Sequence, residues 1–266
     1  MNAARSARGR ILAGQIALAI ALLLAWEYGA ASGALDRFFF SRPSDVAARV
    51  WTWVATGSIW AHLLTTFTEA ALSFAIGVCL GVVCGFVLAR LPLLAALFDP
   101  FIRMANALPR VVLAPMFLLW FGLGIWSKVA LGVTVVFFVV FFNTFRGVRE
   151  VDRVLVDNAR MLGASERQLI RHVLVPSALT WIFSSLHVSI GLAIVAVVVG
   201  EYLGATRGIG YMIAQAEGTF DTTGVFAGMT VLSAGVLMVG ALVDRLERRL
   251  LRWKPGRTGS ASEEVA

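Results

Sequence analysis

The chain has little of what most catalytic chemistry requires. Its 266 residues include two cysteines, three histidines and two lysines (Lys128 and Lys254), and only 15% are charged. No GxxxxGK[ST] occurs, so there is no phosphate loop with which this chain could hydrolyse ATP. HExxH and GxSxG are absent too, which removes the usual zinc-peptidase and nucleophile-elbow signatures. Cys79 and Cys84 are five residues apart in an apolar run. On a helix they point about 140° away from one another, poor geometry for a disulfide or a shared metal. Ser184 shares a helical face with His187, but no Asp lies nearby to orient the imidazole, so an intramembrane hydrolase is weakly supported. No cofactor is expected in this chain.

What the chain has in abundance is apolar length. Hydrophobic residues make up 59% of it, and its mean hydropathy is +0.81. Runs of about 20 residues can cross a hydrocarbon core as helices. Six are predicted, at 11–29, 66–89, 107–124 (interrupted by Pro115, with a start nearer Phe98 as an alternative), 128–145, 178–200 and 224–244. The predicted fold class is therefore an all-α membrane protein of about six transmembrane helices. It divides into an N-terminal tail, first helix and outer segment (1–62), a core (63–245) with a connector at 146–177, and a basic tail (246–266). With the N-terminus inside, 18 of the 23 basic residues fall on the cytoplasmic side, Arg90, Arg103 and Arg110 among them. Arg37, Arg42, Arg49, Lys128 and Arg207 remain outside. That bias places both termini in the cytoplasm. The pI near 10.4 then reports topology and contact with anionic lipid, and nucleic-acid binding is not needed to explain it.

The first run has a second reading. Arg5, Arg8 and Arg10 before an apolar stretch, with Ala30 to Ala34 after it, could form a cleaved signal peptide. The run is long for that, which favours a retained helix. Asp36 to His62, carrying Trp51, Trp53 and Trp60, reads as an amphipathic segment at the outer interface.

Ser73, Gly77, Gly81 and Gly85 recur every four residues, a ridge that lets another helix approach closely. It predicts packing at a translocation core or subunit interface, or ordinary packing within one bundle. Glu69 lies one turn before the ridge, either in a pathway or close enough to the interface to reach water. His187 is mid-span, as a relay or solute ligand, or as a neutral group bonded to a neighbouring helix. Glu201 and Tyr202, followed by Gly204, Gly208 and Gly210, form either a gate or docking loop or a tight outer turn.

The connector Val151 to Ala178 is rich in charge between two apolar spans. Asp152 is a good N-cap, and Val151, Leu155, Asn158/Ala159 and Leu162 then recur at helical spacing. Gly163 stands where a left-handed residue would end that helix. Ser165 and Gln168 form a capping-box signature for a second helix with Leu169, Ile170, Val173 and Leu174 as its apolar stripe. Pro176 predicts a break before the next span. Such a hairpin is either a docking element for a soluble partner or a solvated connector.

Asp157-Asn158-Ala159, three residues, Gly163, nine residues and Val173-Leu174-Val175-Pro176 resemble the EAA loop, E-A-A-x3-G-x9-I-x-L-P, of ABC-importer permeases. Asp157 stands for the Glu, Asn158 for the first Ala, and Val173 and Val175 for Ile and Leu. The segments Ala107 to Leu131, Val197 to Ile213 and Leu242 to Trp253 are similar to the taurine, sulfonate and nitrate branch of that family. The resemblance implies a transport subunit of the bacterial inner membrane rather than an enzyme. It implies ATP-binding cassette subunits in contact with Asp157, Asn158, Ala159, Gly163, Val173 and Pro176, a second permease subunit and a substrate-binding protein. The implied solute is a small anion such as a sulfonate, taurine or nitrate, with a thiamine- or riboflavin-precursor heterocycle as alternative. An ion-gradient transporter would favour midplane charges and an inverted repeat, neither of which is prominent.

Overall fold

An apolar run cannot leave backbone N–H and C=O groups unsatisfied in lipid, and a helix closes all of them internally. The computed structural model describes the backbone of residues 2–250 and the side chains of 9–243 and 245. Among these residues every regular element is helical. In order they are α1 (Asn2–Ala31), α2 (Arg37–Phe40), α3 (Pro43–Ala55), α4 (Ser58–Arg90), α5 (Pro92–Ala107), α6 (Ala114–Phe121), α7 (Ile125–Arg149), α8 (Arg153–Met161), α9 (Glu166–Leu169), α10 (Val175–Leu203), α11 (Ile209–Gly218) and α12 (Thr222–Leu250). A 3-10 turn, Arg110–Leu113, precedes α6, and a π turn, Ile170–Leu174, joins α9 to α10. The basic tail from 251 to 266, the side chains of 246–250 and those of Arg5 and Arg8 lie outside the described set.

Five stretches are long and apolar enough to cross a membrane: Gly9–Ala31, Ser58–Arg90, Ile125–Arg149, Glu166–Leu203 and Thr222–Val243. The predicted span at 107–124 needs correction. It is no single rod from 107 to 124, but Pro92–Ala107 and Arg110–Phe121 bent by 88°. Pro115 does not interrupt it, because it sits in the first turn of α6, where its missing N–H costs nothing. The break is at Leu108, held extended ahead of Pro109. The expected break at Pro176 is also absent, since Glu166–Leu203 is continuous. Instead the Val175 N–H reaches back five residues to the Ile170 carbonyl, a π turn placed just where the proline ring would crowd the preceding turn.

The centre of the bundle is α4, α7 and α10. Val136 and Val140 of α7 and Ala193 of α10 are buried together, with Phe74, Val78 and Val82 of α4 against them. The ridge Ser73, Gly77, Gly81 and Gly85 is buried along its whole length and faces α7 of the same chain: positions 77, 81 and 85 lie against Val136, Val140 and Phe141. Of the two readings, packing within one bundle is the contact formed. The outer segment is amphipathic as predicted. Val46 is buried, Trp53 packs on the cluster of Ile59, Ile209 and Ile213, and Trp51 and Trp60 are exposed. The Glu27 carboxylate of α1 accepts from Ser44 N–H (3.0 Å) and pairs with Arg42 (2.8 Å), tying α1 to the start of α3.

Arg110 is displaced from its predicted place among the basic residues at the membrane surface. Its guanidinium lies 5.2 Å over the Phe138 ring, and Phe138 is the fourteenth of the 25 residues of α7. The bent α5–α6 pair carries it alongside the middle of α7.

Candidate functional site

The hairpin of α8 and α9 is built by local signals. The Asp152 Oδ1 accepts from Val154 N–H at 2.8 Å and caps α8. Gly163 has φ of +79°, a left-handed conformation that a side chain rarely adopts. Around it Gly163 N–H donates to the Arg160 carbonyl (2.9 Å) and Ala164 N–H to the Ala159 carbonyl (3.0 Å), the paired bonds of a Schellman stop. Ser165 then opens α9 with a complete capping box: its N–H donates to Gln168 Oε1 (2.8 Å), and Gln168 N–H donates to Ser165 Oγ (3.4 Å). Ser165→Ala should cost about 1 kcal/mol of local stability. Faster amide exchange at Gln168 would register it, and unchanged exchange would contradict it.

Glu166 pairs with Arg90 at the end of α4 (2.6 Å) and with Arg160 of α8 (3.3 Å), which fixes the hairpin against the bundle. Leu169 and Leu174 of the predicted second stripe are buried. The first stripe splits: its Val151 and Ala159 are half-buried, and its Leu155, Asn158 and Leu162 are exposed. Val156 and Ala159 turn toward the chain, whereas Val154, Leu155, Met161 (80%) and Leu162 (88%) stand exposed. Asp157 and Asn158 are exposed beside them, and Val173 is half-buried. A cavity of about 300 Å³ lies in the crook of the hairpin, between Ala159, Gly163 and Val173.

At the far end of the bundle three charged side chains are sealed in. Glu69 of α4, Lys128 of α7 and Glu201 of α10 are each no more than 2% exposed. Both Glu201 oxygens accept hydrogen bonds, Oε1 from Thr66 Oγ1–H at 2.7 Å and Oε2 from Gly210 N–H at 2.8 Å. Thr66 Oγ1 in turn accepts from Ile209 N–H at 2.9 Å. The Lys128 ammonium donates to the carbonyls of Leu123 (2.6 Å) and Gly124 (3.0 Å). Among the described residues, nothing donates to Glu69 Oε2. The turn leading into α11 wraps the Glu201 carboxylate so closely that a Cβ on Gly208, whose φ is +117°, would lie 2.1 Å from it. Gly208 N–H also donates to His62 Nδ1 at 3.1 Å.

Two sequence-derived site residues, Glu69 and Glu201, thus meet in one cluster. Because α4 begins at Ser58, Glu69 is three turns inside its helix and buried, and does not reach water at the interface. Tyr202 stands apart, with its OH donating to Glu217 Oε2 at 3.2 Å. His187 faces outward from α10. Lys128, read as a cation at the outer head of a span, belongs to the cluster. Its only local signal was being a lone lysine at the head of an apolar run.

A rigid hairpin between spans and a buried seam of α4, α7 and α10 agree with what the whole chain matches. Residues 77–252 match the family described as binding-protein-dependent transport system inner membrane component. The chain belongs to this family. The permease is 33% identical over 233 residues to the riboflavin transport system permease protein RibX of Chloroflexus aurantiacus, covering 88% of this chain and 87% of the relative. It is 31% identical over 238 residues to SsuC of Bacillus subtilis, a permease named for aliphatic sulfonate transport, covering 90% and 86%. In fold, the permease resembles an amino acid ABC transporter crystallised with histidines, with a TM-score of 0.60 at 18% identity over 76% of this chain and 96% of that one. It is therefore a multi-pass subunit of an ABC importer, not an enzyme. ATP hydrolysis resides in a separate subunit of such systems.

Proposed function

We propose that the α8–α9 hairpin is where this permease receives work from its ATP-hydrolysing partner, and that the solute moved is a small anion such as a sulfonate, taurine or nitrate. The observation that carries the coupling role is the apolar ridge of Val154, Leu155, Met161 and Leu162, which none of the described residues covers although the hairpin beneath it is held by caps and ion pairs. Exposed apolar surface on a rigid element is the usual mark of a docking site. Asp157, Asn158, Ala159, Gly163, Val173 and Pro176 position that ridge. The hairpin side is cytoplasmic and both termini lie there, in keeping with the excess of arginine. Two permease subunits pair, with α5, which buries none of its residues in its own chain, among the surfaces left for the second subunit and lipid. A solute-loaded binding protein meets the opposite face, near α3 and α11. Nucleotide-driven closure of two ATPase subunits shifts the pair between inward- and outward-open states, because the partner binds those states unequally.

A heterocyclic solute is the second reading, favoured by the likeness to the riboflavin permease at 33% identity. The coupling role is tested by extraction in mild detergent. Proline at 163 cannot adopt a φ of +79° and removes the N–H that donates to Arg160. An ATPase subunit should co-purify with the wild type and be lost from Gly163→Pro, while the variant still inserts in the membrane. Equal recovery of the ATPase with both would sink the role assigned to the hairpin.

A further inference from the structure

Among the described residues, Arg110 is an arginine placed beside the middle of a spanning helix, where a cation is costly. A 25-residue helix is about 37 Å long, so Phe138 lies about 20 Å from one end of α7 and about 17 Å from the other. The guanidinium over it is near the midplane of any bilayer that α7 crosses. Such a charge normally pairs with a carboxylate or faces a polar cavity. Among the described residues no carboxylate pairs with Arg110. One Nη donates to Asn106 Oδ1, a neutral amide on α5, and the Nε–H is buried with no acceptor.

Arg110 also borders a cavity of about 110 Å³, otherwise walled by apolar groups: Leu131 and Val135 of α7 and Leu192, Val195 and Val199 of α10. That is room for roughly three or four waters. The backbone supplying Arg110 is the 3-10 turn at the bend between α5 and α6, and non-α backbone at membrane depth occurs where it lines a cavity or is covered by protein.

We propose that Arg110 is an anion-binding residue on the translocation path, contacting the negatively charged headgroup of the solute through its unused guanidinium edge. The choice of ligand follows from charge. A cation is repelled, and a neutral solute leaves the arginine uncompensated in an apolar wall. A sulfonate, carboxylate or nitrate oxygen accepts from the planar donors and neutralises them. Phe138 lies beneath the guanidinium and Asn106 accepts from one Nη beside it, while the side chain borders the cavity. This inference rests on the anion reading of the proposed function and assigns a residue to it.

The test is uptake of radiolabelled taurine, ethanesulfonate and nitrate by cells whose chromosomal copy is wild type, deleted, Arg110→Gln or Arg110→Lys, with permease abundance and ATPase co-purification measured in each. For the anion whose uptake the deletion abolishes, Arg110→Gln should lower uptake roughly tenfold or more, the loss of a charge-assisted hydrogen bond. Arg110→Lys should keep about a third of it, since the charge remains but the planar fork does not. Abundance and ATPase recovery should match the wild type. Uptake by Arg110→Gln within about twofold of wild type, or equal loss in both variants together with loss of the ATPase, would overturn the assignment. A deletion that leaves all three anions unaffected would instead refute the anion reading itself.

Discussion

Glu201→Leu is expected to lower the stability of the folded permease by about 2–5 kcal/mol, because it strands two buried donors at once. The Thr66 Oγ1–H and the Gly210 N–H both lose their acceptor, and each orphaned group carries its full desolvation cost. Lys128 simultaneously loses one of two nearby carboxyl groups. Glu201→Gln should lose much less. Its carbonyl can keep the Gly210 N–H while its amide donates to Thr66 Oγ1, so the order of stability is wild type, then Gln, then Leu. Thermal unfolding of the three purified proteins in detergent reads that order. A Leu variant that melts with the wild type would mean that the cluster is not what holds α11 to α10.

The second large effect belongs to the seam between α4 and α7. A Cβ at position 85 would stand 2.7 Å from the Phe141 carbonyl oxygen and 2.9 Å from Thr144 Cβ. The obstacle is backbone, so no rotamer change relieves it. Gly85→Leu must push α4 away from α7 along the ridge that begins at Ser73, at a cost of about 3 kcal/mol or more, beyond ordinary overpacking of a core. Gly191 of α10 is the matched control, since a Cβ there meets nothing within 4 Å. Recovery of folded protein from membranes should drop sharply for Gly85→Leu and stay at wild-type level for Gly191→Ala. Similar recovery for both would show that the two helices have more freedom at that seam than their spacing implies.

The hairpin was legible in the sequence because its signals are short-range. Asp152, Gly163, Ser165 and Gln168 each act within four residues, so spacing alone located both caps and the turn between them. The ridge on α4 was legible for a similar reason, though which helix it faced was not. Depth and partnership were not legible. Glu69, Lys128 and Glu201 come together from three helices across 132 positions of sequence, and nothing local to any of them announces the others. The sequence places Lys128 at the outer head of the span 128–145, because hydropathy locates the ends of runs only loosely. Arg110 was assigned to the surface because a bend of 88° turns sequence distance from the span edge into depth. Pro176 was expected to break a helix, a rule that assumes an α-helical neighbour. The π turn changes the register so that no break is needed.

That turn has a mechanical consequence. Glu166 to Leu203 is one rod of 38 residues, about 57 Å long. Its base is half of the hairpin, its last third supplies one wall of the Arg110 cavity, and its tip holds Glu201 and with it the loop into α11. A tilt of about 10° around a mid-rod pivot would swing either end by roughly 5 Å over an arm of about 28 Å. The same tilt would move the wall of the cavity and the far-side closure in a fixed phase relation. A pull on the hairpin and a change at the opposite surface are thus two ends of a single lever, with the Ile170–Leu174 turn as its wrist.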